Sequence, residues 1–564
     1  MMPQASLPPG AQDTRGDRAF AWAIVAIASL AYLAMAIPSV WSARLGVSQF
    51  QDDAFYYLVP ARHFVEQGRF TFDGVHPTNG FHPLWMAAAV ALTAIAGPTA
   101  LPEHHVFALN LLEKLVQGAA LATCLALFLR ARRNGAAQGT GYLGIAILLL
   151  CPYYVVFDQG METTLAVFLF VLAIDALASD APVRLGFVLV ALFLCRLDTG
   201  LFVGLPMALW MSFRRPDLPH RWWAVAPLAA SMVAVPLAYL AITGHTVPIS
   251  GAVKSSFPSI TWHGSYFAEP LNVAALYGWR TLLHGLNLWL CGGLLLSGCA
   301  LVAAGELPPK ARSATYVIAF AGALLLANLL LFQKWEKSVD PRYYALPMAA
   351  ALFAMGTGME AVFARIAGGG RALLARFAAT LPRLACVVAL ALEAFVLASR
   401  FEHSLLSRSD PVQAIFKDLD AVLPRDAVLA GTDVGALSFW TRRRVINLDG
   451  VMNDYAYQEW VRDRRLAEYL RRNGVTHIAT ALWDSEQTYT ARPTEPMYRH
   501  QIDPDATHAR PYRCHRFYVH SYVFRADSDA ICLDAKAEVF RRAVGRIGIG
   551  EAAYVVYELP PATQ

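Results

Sequence analysis

Long apolar runs separated by short polar segments fill most of the first 400 residues. Runs long enough to cross a bilayer lie at about 19–40, 106–129, 141–157, 161–179, 222–242, 283–303, 314–332, 343–363 and 380–399. The run 185–213 is too long for one span and carries Arg196 and Asp198 in its middle, so we predict two short helices that meet at a polar elbow. The run 84–98 is short for a span, and we expect a re-entrant or juxtamembrane helix there. The pattern predicts a polytopic α-helical membrane protein with about 11 crossings.

The pattern changes in the tail, which begins at about residue 401. Short apolar segments at 427–431, 444–448 and 475–480 have the character of strands, and a charged stretch at 454–472 has that of a helix. Alternation of strands and helices predicts a small α/β domain over 401–564, after a membrane domain over 1–400. We interpret GTDVG and NLDG, which follow the first two strands, as turns at strand ends. A substrate-facing role for the NLDGVMND segment remains open.

The composition agrees with this class, since 56% of residues are hydrophobic, 16% are charged and the mean hydropathy is +0.40. Arginine-rich loops recur on alternate sides of the predicted spans, so the positive-inside rule places the N-terminus in the cytoplasm. The first outer loop (41–105) and the tail then lie outside a cytoplasmic membrane of bacterial type. The pI of about 8.7 reflects loop arginines that face anionic lipid, and no nucleic-acid partner is expected.

Nearly all candidate chemistry falls on the predicted outer face. Asp52 and Asp53 open a loop rich in aromatic and histidine residues, and Asp158 and Glu162 lie in a second outer loop. Carboxylates at a membrane surface are costly unless they bind a cation or a proton or stay hydrated. The outer face has no ATP or sugar nucleotide, so a group-transfer enzyme there needs a donor delivered by the membrane. The alternative is a solvated loop whose aromatic residues form an interfacial belt.

The motifs DDAFYY, GRFTFDG and PTNGFHPLW in the first outer loop resemble those of the membrane glycosyltransferases of the GT-C fold. That group includes protein O-mannosyltransferases, aminoarabinose transferases and the catalytic subunit of oligosaccharyltransferase. The resemblance continues, in order along the chain, through FDQGMETT, RLDTG, PISGAVKSS, DPRYYALP and NLDGVMND. It implies an inverting transfer of a sugar from a polyprenyl-phosphate donor to a hydroxyl of a glycan, lipid or protein acceptor.

The resemblance also implies roles for particular residues. Asp52 is the expected base and Asp53 its catalytic partner. The expected donor-phosphate site is formed by His82, Asn79, Arg196, Asp198, Lys254, Arg342, Tyr343 and Tyr344. Oxygen ligands for Mg²⁺ or Mn²⁺ are expected from Asp53, Asp158 and Glu162, with His82 beside them.

Several of these residues could instead have purely structural roles. Arg196 and Asp198 could form an ion pair that serves only the elbow. Glu162 could orient the start of a helix, and Lys254 could extend to lipid headgroups. His63 and His76 have the character of packing residues.

Two other function classes stay open. One is a transporter, and the other is a non-catalytic membrane sensor or assembly protein. The tail contains two cysteines, Cys514 and Cys532, for which an oxidising compartment predicts a disulfide.

Overall fold

The computed structural model describes most of the chain, in segments. These are residues 15–41, 50, 52–133, 160–257, 259–260, 287–305, 307, 309–333, 341–368, 412–463, 465–482, 512–515, 531–534, 538–547 and 550–559. The predicted spans 141–157 and 380–399, and Asp158, lie outside these residues.

Helices make up the described part of the chain before residue 400. They are Arg15–Trp41, Asp52–Gln67, Pro83–Ala96, Pro102–Arg133, Thr163–Ala178, Pro182–Cys195, Leu197–Thr199, Leu205–Arg214, Ala226–Thr243, Ile249–Lys254, Asn287–Ala304, Pro309–Phe332 and Ala345–Gly368, with a π-helical turn at Gly200–Gly204 and 3₁₀ turns at Arg221–Ala224 and Pro341–Tyr344. We call Asp52–Gln67 the first-loop helix. The chain is therefore predominantly helical in this part, as predicted.

Within the described residues, four helical segments are long and apolar enough to cross a membrane. They are Pro102–Leu127, Arg221–Thr243, Ala311–Phe332 and Arg342–Val362. Shorter apolar helices lie at Trp22–Ala34, Pro83–Ala96, Thr163–Ala178, Pro182–Cys195 and Leu288–Ala304. These helices match the predicted apolar runs that fall in the described part, and the total of 11 crossings stays a prediction.

The elbow predicted in the run 185–213 is present. Helix Pro182–Cys195 ends at Arg196, whose backbone is extended at φ −146° and ψ 112°. A short helical turn, Leu197–Thr199, and the π-helical turn then lead into helix Leu205–Arg214. At this interruption the side chains of Arg196 and Asp198 lie against one another.

The tail contains a five-stranded sheet in the order β2-β1-β3-β7-β6. Its strands are β1 Leu429–Gly431, β2 Val445–Asn447, β3 His477–Leu482, β6 Glu538–Ile547 and β7 Gly550–Glu558, and a separate pair is formed by β4 Tyr512–His515 and β5 Ile531–Asp534. β1 is parallel to β2 and β3, whereas β7 is antiparallel to β3 and β6. The three predicted strands are confirmed, and the antiparallel pair β6–β7 completes the sheet.

Helices of the tail connect and cover these strands. They are Val412–Val422, Gly435–Thr441, Tyr455–Arg462 and Leu466–Arg472. We call Gly435–Thr441 the tail helix. The helical stretch predicted at 454–472 is thus two short helices, and Asp454 begins the first by accepting a hydrogen bond from the Tyr457 amide. Such an Asp cap satisfies one of the unpaired amides at a helix start.

The first-loop helix and the tail share one hydrophobic core. Phe55 packs against Phe439 and Trp440 of the tail helix, with ring centroids 5.1 and 6.4 Å apart. A second close approach joins Gly80 to the turn after β2, where any side chain at Gly80 would collide with the carbonyl oxygen of Val451. These contacts fix the first loop against the carboxyl ends of β1 and β2.

Candidate active site

The first-loop helix carries the acidic pair to the boundary between the membrane helices and the tail. Asp52 and Asp53 occupy its first turn, where the helix dipole favours negative charge. The residues from Ala54 to Arg62 that follow are all buried. Because consecutive helical residues point in different directions, the two carboxylates face different neighbours.

Asp52 faces the tail. Its two carboxylate oxygens accept hydrogen bonds from the backbone amides of Gly435 and Ala436, each at 2.7 Å. A side chain at Gly435 would collide with the backbone oxygen of Asp52, so the approach requires glycine. Burial raises the pKa of Asp52 well above its ordinary value, and the charge of Asp433 raises it further, while the two amides oppose the shift. Asp52 is therefore a fixed carboxylate with increased basicity.

Asp53 faces the membrane helices. Its Oδ2 lies 2.6 Å from Nη1 of Arg342, which belongs to the 3₁₀ turn before helix Ala345–Gly368. The Arg342 guanidinium also lies over the Tyr343 ring, 5.1 Å from its centroid. Such stacking on an aromatic face is a common setting for a partly desolvated arginine.

Arg196 joins the same group from the elbow. Its guanidinium pairs with Asp198 through Nη2–Oδ2 at 3.0 Å and Nε–Oδ1 at 3.3 Å. Its Nη1 also donates to the carbonyl oxygen of Arg342 at 3.4 Å. Arg196 lies 5.9 Å from the centroid of the Tyr343 ring. The ion pair considered from the sequence is thus present, and it holds Arg196 beside the Arg342 turn.

Lys254 ends the short helix Ile249–Lys254 and lies within electrostatic range of Tyr343, Asp53 and Arg342. Burial lowers the pKa of Lys254, and Tyr343 and Asp53 more than offset this, so the net shift is upward and the ammonium stays charged. Asn79 fixes this helix in place. Its Oδ1 accepts from the Ile249 amide at 2.8 Å, and its Nδ2 donates to the Val247 carbonyl oxygen at 3.3 Å. Asn79 therefore supports the lysine from outside the charged cluster.

Glu162 precedes helix Thr163–Ala178, but its side chain does not cap that helix. Its Oε2 accepts a hydrogen bond from the Tyr57 hydroxyl at 2.7 Å, and its Oε1 lies 3.6 Å from Nε2 of His82. Burial lowers the pKa of His82, although the charge of Glu162 opposes this shift. Glu162 and His82 thus form a second polar pair near the elbow, within electrostatic range of Arg196.

A buried carboxylate that the sequence reasoning did not select supports this second pair. Glu113 is 1% exposed in helix Pro102–Arg133, and its Oε1 accepts a hydrogen bond from the Gly160 amide at 2.7 Å. The carbonyl oxygen of Gly160 accepts from Nε1 of Trp85 at 3.1 Å. Gly160 has a φ of 79°, in the left-handed region. Both backbone groups of Gly160 are therefore held two residues before Glu162.

Asp449, in the NLDG turn after β2, was also not selected from the sequence. Its Oδ2 accepts a hydrogen bond from the Tyr56 hydroxyl at 2.8 Å, and that hydroxyl accepts from Nδ2 of Asn447 at 3.0 Å. Burial raises the pKa of Asp449, and nearby Asp53 also raises it. The turn thus lies near the acidic pair, and a substrate-facing role for it stays a prediction.

The remaining predicted residues take other positions. Tyr344 is 1% exposed and packs in the core of the membrane helices. His63 and His76 bond within their own loop, to the Thr71 carbonyl oxygen and to Asp73 respectively, which fits packing roles. Among the described residues, no group of three or more His, Cys, Asp or Glu side chains is placed to hold a metal ion.

The arrangement gathers three cations, Arg196, Arg342 and Lys254, around Tyr343. Asp53 lies among them, and Asp52 lies next to it in the same helical turn. Such a cluster can bind an anionic group such as a phosphate and can stabilise negative charge that develops on it. A neighbouring carboxylate of raised pKa binds a proton more strongly than an ordinary carboxylate and can serve as a base.

The chain is similar along nearly its whole length to solved structures of ArnT from Cupriavidus metallidurans. One, bound to undecaprenyl phosphate, has 11% sequence identity and a TM-score of 0.48, and the match covers 95% of this chain and 98% of that one. The other, in the apo state, has 13% identity and a TM-score of 0.47, with 96% and 98% covered. No protein-family model and no curated protein matches the chain.

Proposed function

We propose that the chain is an inverting glycosyltransferase that uses a polyprenyl-phosphate sugar as its donor. The observation that carries this proposal is the convergence of Arg196, Arg342 and Lys254 around Tyr343, with Asp53 among them. Three cations at one end of a membrane helix bundle suit a phosphate whose lipid tail lies along the apolar helices.

The reaction would be a single displacement. Asp52 accepts the proton of the acceptor hydroxyl, whose oxygen forms the new bond to the anomeric carbon. The bond from that carbon to the phosphate oxygen breaks, and its electron pair leaves with the polyprenyl phosphate. Arg342, Arg196 and Lys254 stabilise the charge of the departing phosphate. Inversion at the anomeric carbon follows from one displacement.

The raised pKa of Asp52 supports its role as base, because a carboxylate of higher pKa takes up a proton more readily. The amides of Gly435 and Ala436 would hold the carboxylate in one orientation while free lone pairs remain on its oxygens. Asp53 would orient Arg342 rather than act on the acceptor. Mg²⁺ or Mn²⁺ remains a prediction, and none of these steps depends on it.

The reaction would take place on the outer face of a cytoplasmic membrane, with the tail on the same side. Arginine-rich loops on the opposite side of the predicted spans support this orientation. The acceptor would be a hydroxyl of a glycan, a lipid or a protein.

The proposal is tested with purified full-length protein in lipid nanodiscs. The protein is incubated with a panel of radiolabelled polyprenyl-phosphate sugars and a cell-envelope extract that supplies acceptors. The expected result is transfer of label from one of these donors to a discrete product of inverted anomeric configuration. Failure of every polyprenyl-phosphate sugar to donate label would contradict the proposal. Movement of intact lipid-linked sugar across a vesicle membrane would favour the transporter instead.

A further inference from the structure

Arg62 is a buried cation that the proposed reaction does not use. Its side chain is 6% exposed, and among the described residues it makes no hydrogen bond or ion pair. Glu66, one turn later, is exposed, and no ion pair joins it to Arg62. Burial lowers the pKa of Arg62 to about 10, although the charge of Glu66 opposes this shift, so the guanidinium is charged at neutral pH. A buried, charged arginine that an exposed acid compensates only in part is destabilising unless an anion binds to it.

A second arginine, Arg442, lies on the same side of the contact between the two helices. Phe55 and Arg62 are seven residues apart and therefore share one face of the first-loop helix. Phe439 and Arg442 are three residues apart at the end of the tail helix. Because the Phe55 and Phe439 rings are in contact, with centroids 5.1 Å apart, Arg62 and Arg442 lie together beyond them. The charge of Arg442 lowers the pKa of Arg62 further, as expected for neighbouring cations.

The two arginines lie at the end of a membrane helix. Arg442 donates a hydrogen bond to the carbonyl oxygen of Ala100, just before helix Pro102–Arg133. His105, in the first turn of that helix, packs edge-on against Phe439 with centroids 6.4 Å apart. Glu103, the acid of the same turn, is already paired with Lys417 at 3.2 Å. The site thus contains two cations, and the acid of the neighbouring helical turn, Glu103, is already paired with Lys417.

Apolar side chains on the surface continue from this point along the membrane helix. Large hydrophobic side chains here are strongly exposed: Leu101 63%, Phe107 50%, Leu111 37% and Leu115 62%. Such a stripe on a candidate membrane span suits contact with hydrocarbon chains. A ligand that fits both features has a negatively charged head and an apolar tail.

We propose that Arg62 and Arg442 bind the phosphate headgroup of an anionic membrane lipid, whose acyl chains lie along the exposed face of helix Pro102–Arg133. This site is distinct from the cation cluster at Tyr343. Arg62 is ten residues from Asp52 along the first-loop helix, a distance of about 15 Å at the usual rise per residue. The bound lipid would fasten the first loop and the tail helix to the membrane surface.

The test uses full-length protein purified in a neutral detergent and freed of lipid. Native mass spectrometry measures binding of phosphatidylglycerol, with phosphatidylcholine as the comparison, to the wild type and to Arg62→Gln and Arg442→Gln. We expect the wild type to bind phosphatidylglycerol preferentially. The affinity of each variant for this lipid should be lower by about tenfold or more, as for loss of a charge-assisted hydrogen bond. Arg62→Lys should retain more binding than Arg62→Gln. Arg69→Gln, an exposed arginine of the same loop, should bind like the wild type.

Thermal unfolding without lipid separates this role from a structural one. If the guanidinium has no partner in the protein, Arg62→Gln should unfold at the same temperature as the wild type or a higher one. A lower temperature would mean that the arginine serves the fold, which would overturn the proposal. Equal binding of the two lipids, or wild-type affinity in Arg62→Gln, would also overturn it. Inorganic phosphate alone should not raise the unfolding temperature, and stabilisation equal to that by phosphatidylglycerol would assign the site to free phosphate.

Discussion

Asp53 and Arg342 form an ion pair, with 2.6 Å between Oδ2 and Nη1. The pair ties the first-loop helix to the turn that begins helix Ala345–Gly368. Both side chains are mostly buried, at 19% and 10% exposure, so removal of one partner deprives the other of a buried ion pair. We infer that Asp53 holds Arg342 in the orientation in which it can meet a donor phosphate.

Replacement of Arg342 by glutamine should weaken donor binding and destabilise the protein. The lost charge should raise the KM for the donor about tenfold or more. Loss of the ion pair from the mostly buried Asp53 should lower the free energy of unfolding by about 3 kcal/mol. Steady-state kinetics and thermal unfolding measure the two effects.

The double variant Asp53→Asn with Arg342→Gln separates these effects. It should recover most of the lost stability, because both charges of the buried ion pair are removed together, while the KM for the donor stays high. A return of both the donor KM and the stability to wild-type values would show that Arg342 only stabilises the fold and does not bind the donor.

Removal of the Glu113 side chain should disturb the site from a distance. Glu113→Ala leaves the buried Gly160 amide without an acceptor, which should cost about 2 kcal/mol and reduce transfer through displacement of Glu162. Glu113→Gln keeps a side-chain carbonyl oxygen and should lose much less. Thermal unfolding and kcat measure both effects. Equal losses in the two variants would contradict an acceptor role for Glu113.

The first loop and the tail should be held together in a pH-dependent manner by Asp73 and His76. The hydrogen bond from His76 to Asp73 raises the pKa of His76 above 6.5, although burial opposes this shift. Burial would raise the pKa of Asp73, but the bonds from His76 hold it below 3.8. Arg444 of the tail also contacts Asp73, at 3.2 Å.

The directions of the two pKa shifts define the pH range in which His76 and Asp73 contribute fully to stability. The contribution of His76 to stability is complete below 6.5 and is lost as the pH rises through its raised value. That of Asp73 is complete above 3.8 and is lost as the pH falls through its lowered value. Unfolding temperatures from pH 4 to 9 should therefore fall above about pH 6.5 by an amount that His76→Gln abolishes and the exposed-residue control His104→Gln does not. An unchanged pH profile in His76→Gln would contradict this account.

Cys514 and Cys532 should form a disulfide if the tail lies outside the cytoplasm. They are directly paired in the antiparallel register of β4 and β5. Cα atoms of directly opposed residues in such strands are about 4.5–5.5 Å apart, which a disulfide can bridge. Six of the eight cysteines should then react with a thiol reagent under non-reducing denaturation. Eight reactive thiols would place the tail in a reducing compartment or show that no bond forms.

Local patterns predicted the elements more completely than the contacts between them. The apolar runs and the polar elbow at Arg196 are visible in the sequence because burial in membrane follows local hydropathy. The strands of the tail that pair in parallel are short apolar runs, which are typical of strands buried on both faces. β6 and β7 were missed because EVFRRAVGRI and its partner mix charge with apolar residues, and their pairing depends on a partner strand.

The site was predicted in composition but not in its connections. Asp53, Arg196, Lys254 and Arg342 converge as expected for residues on one side of the membrane. The hydrogen bond from the Gly435 amide to the Asp52 carboxylate could not be foreseen, because it joins segments that lie far apart in sequence and depends on a backbone group. Glu113 was missed although a carboxylate inside a predicted span is itself a signal, and its partner, a glycine amide, could not be read from the sequence.

The account depends most directly on the role of Asp52. Asp52→Asn removes the basicity of the side chain, and it should reduce kcat by roughly 10²–10⁴, the range for loss of a general base. The limb on which the wild-type rate rises with pH, as the raised pKa of Asp52 is passed, should disappear in the variant. Gly435→Ala is the comparison variant, because its new Cβ collides with the backbone oxygen of Asp52 and so disturbs the docking of the tail, but it leaves the carboxylate in place.

The decisive measurement is therefore the pH profile of kcat for Asp52→Asn and Gly435→Ala, in protein shown to be folded. We expect a loss of at least about 100-fold and no rising limb in Asp52→Asn, whereas Gly435→Ala should lose some activity and stability but keep the rising limb. Turnover near the wild-type rate in Asp52→Asn, or a rising limb that persists in that variant, would show that Asp52 only docks the tail and would contradict the proposed mechanism.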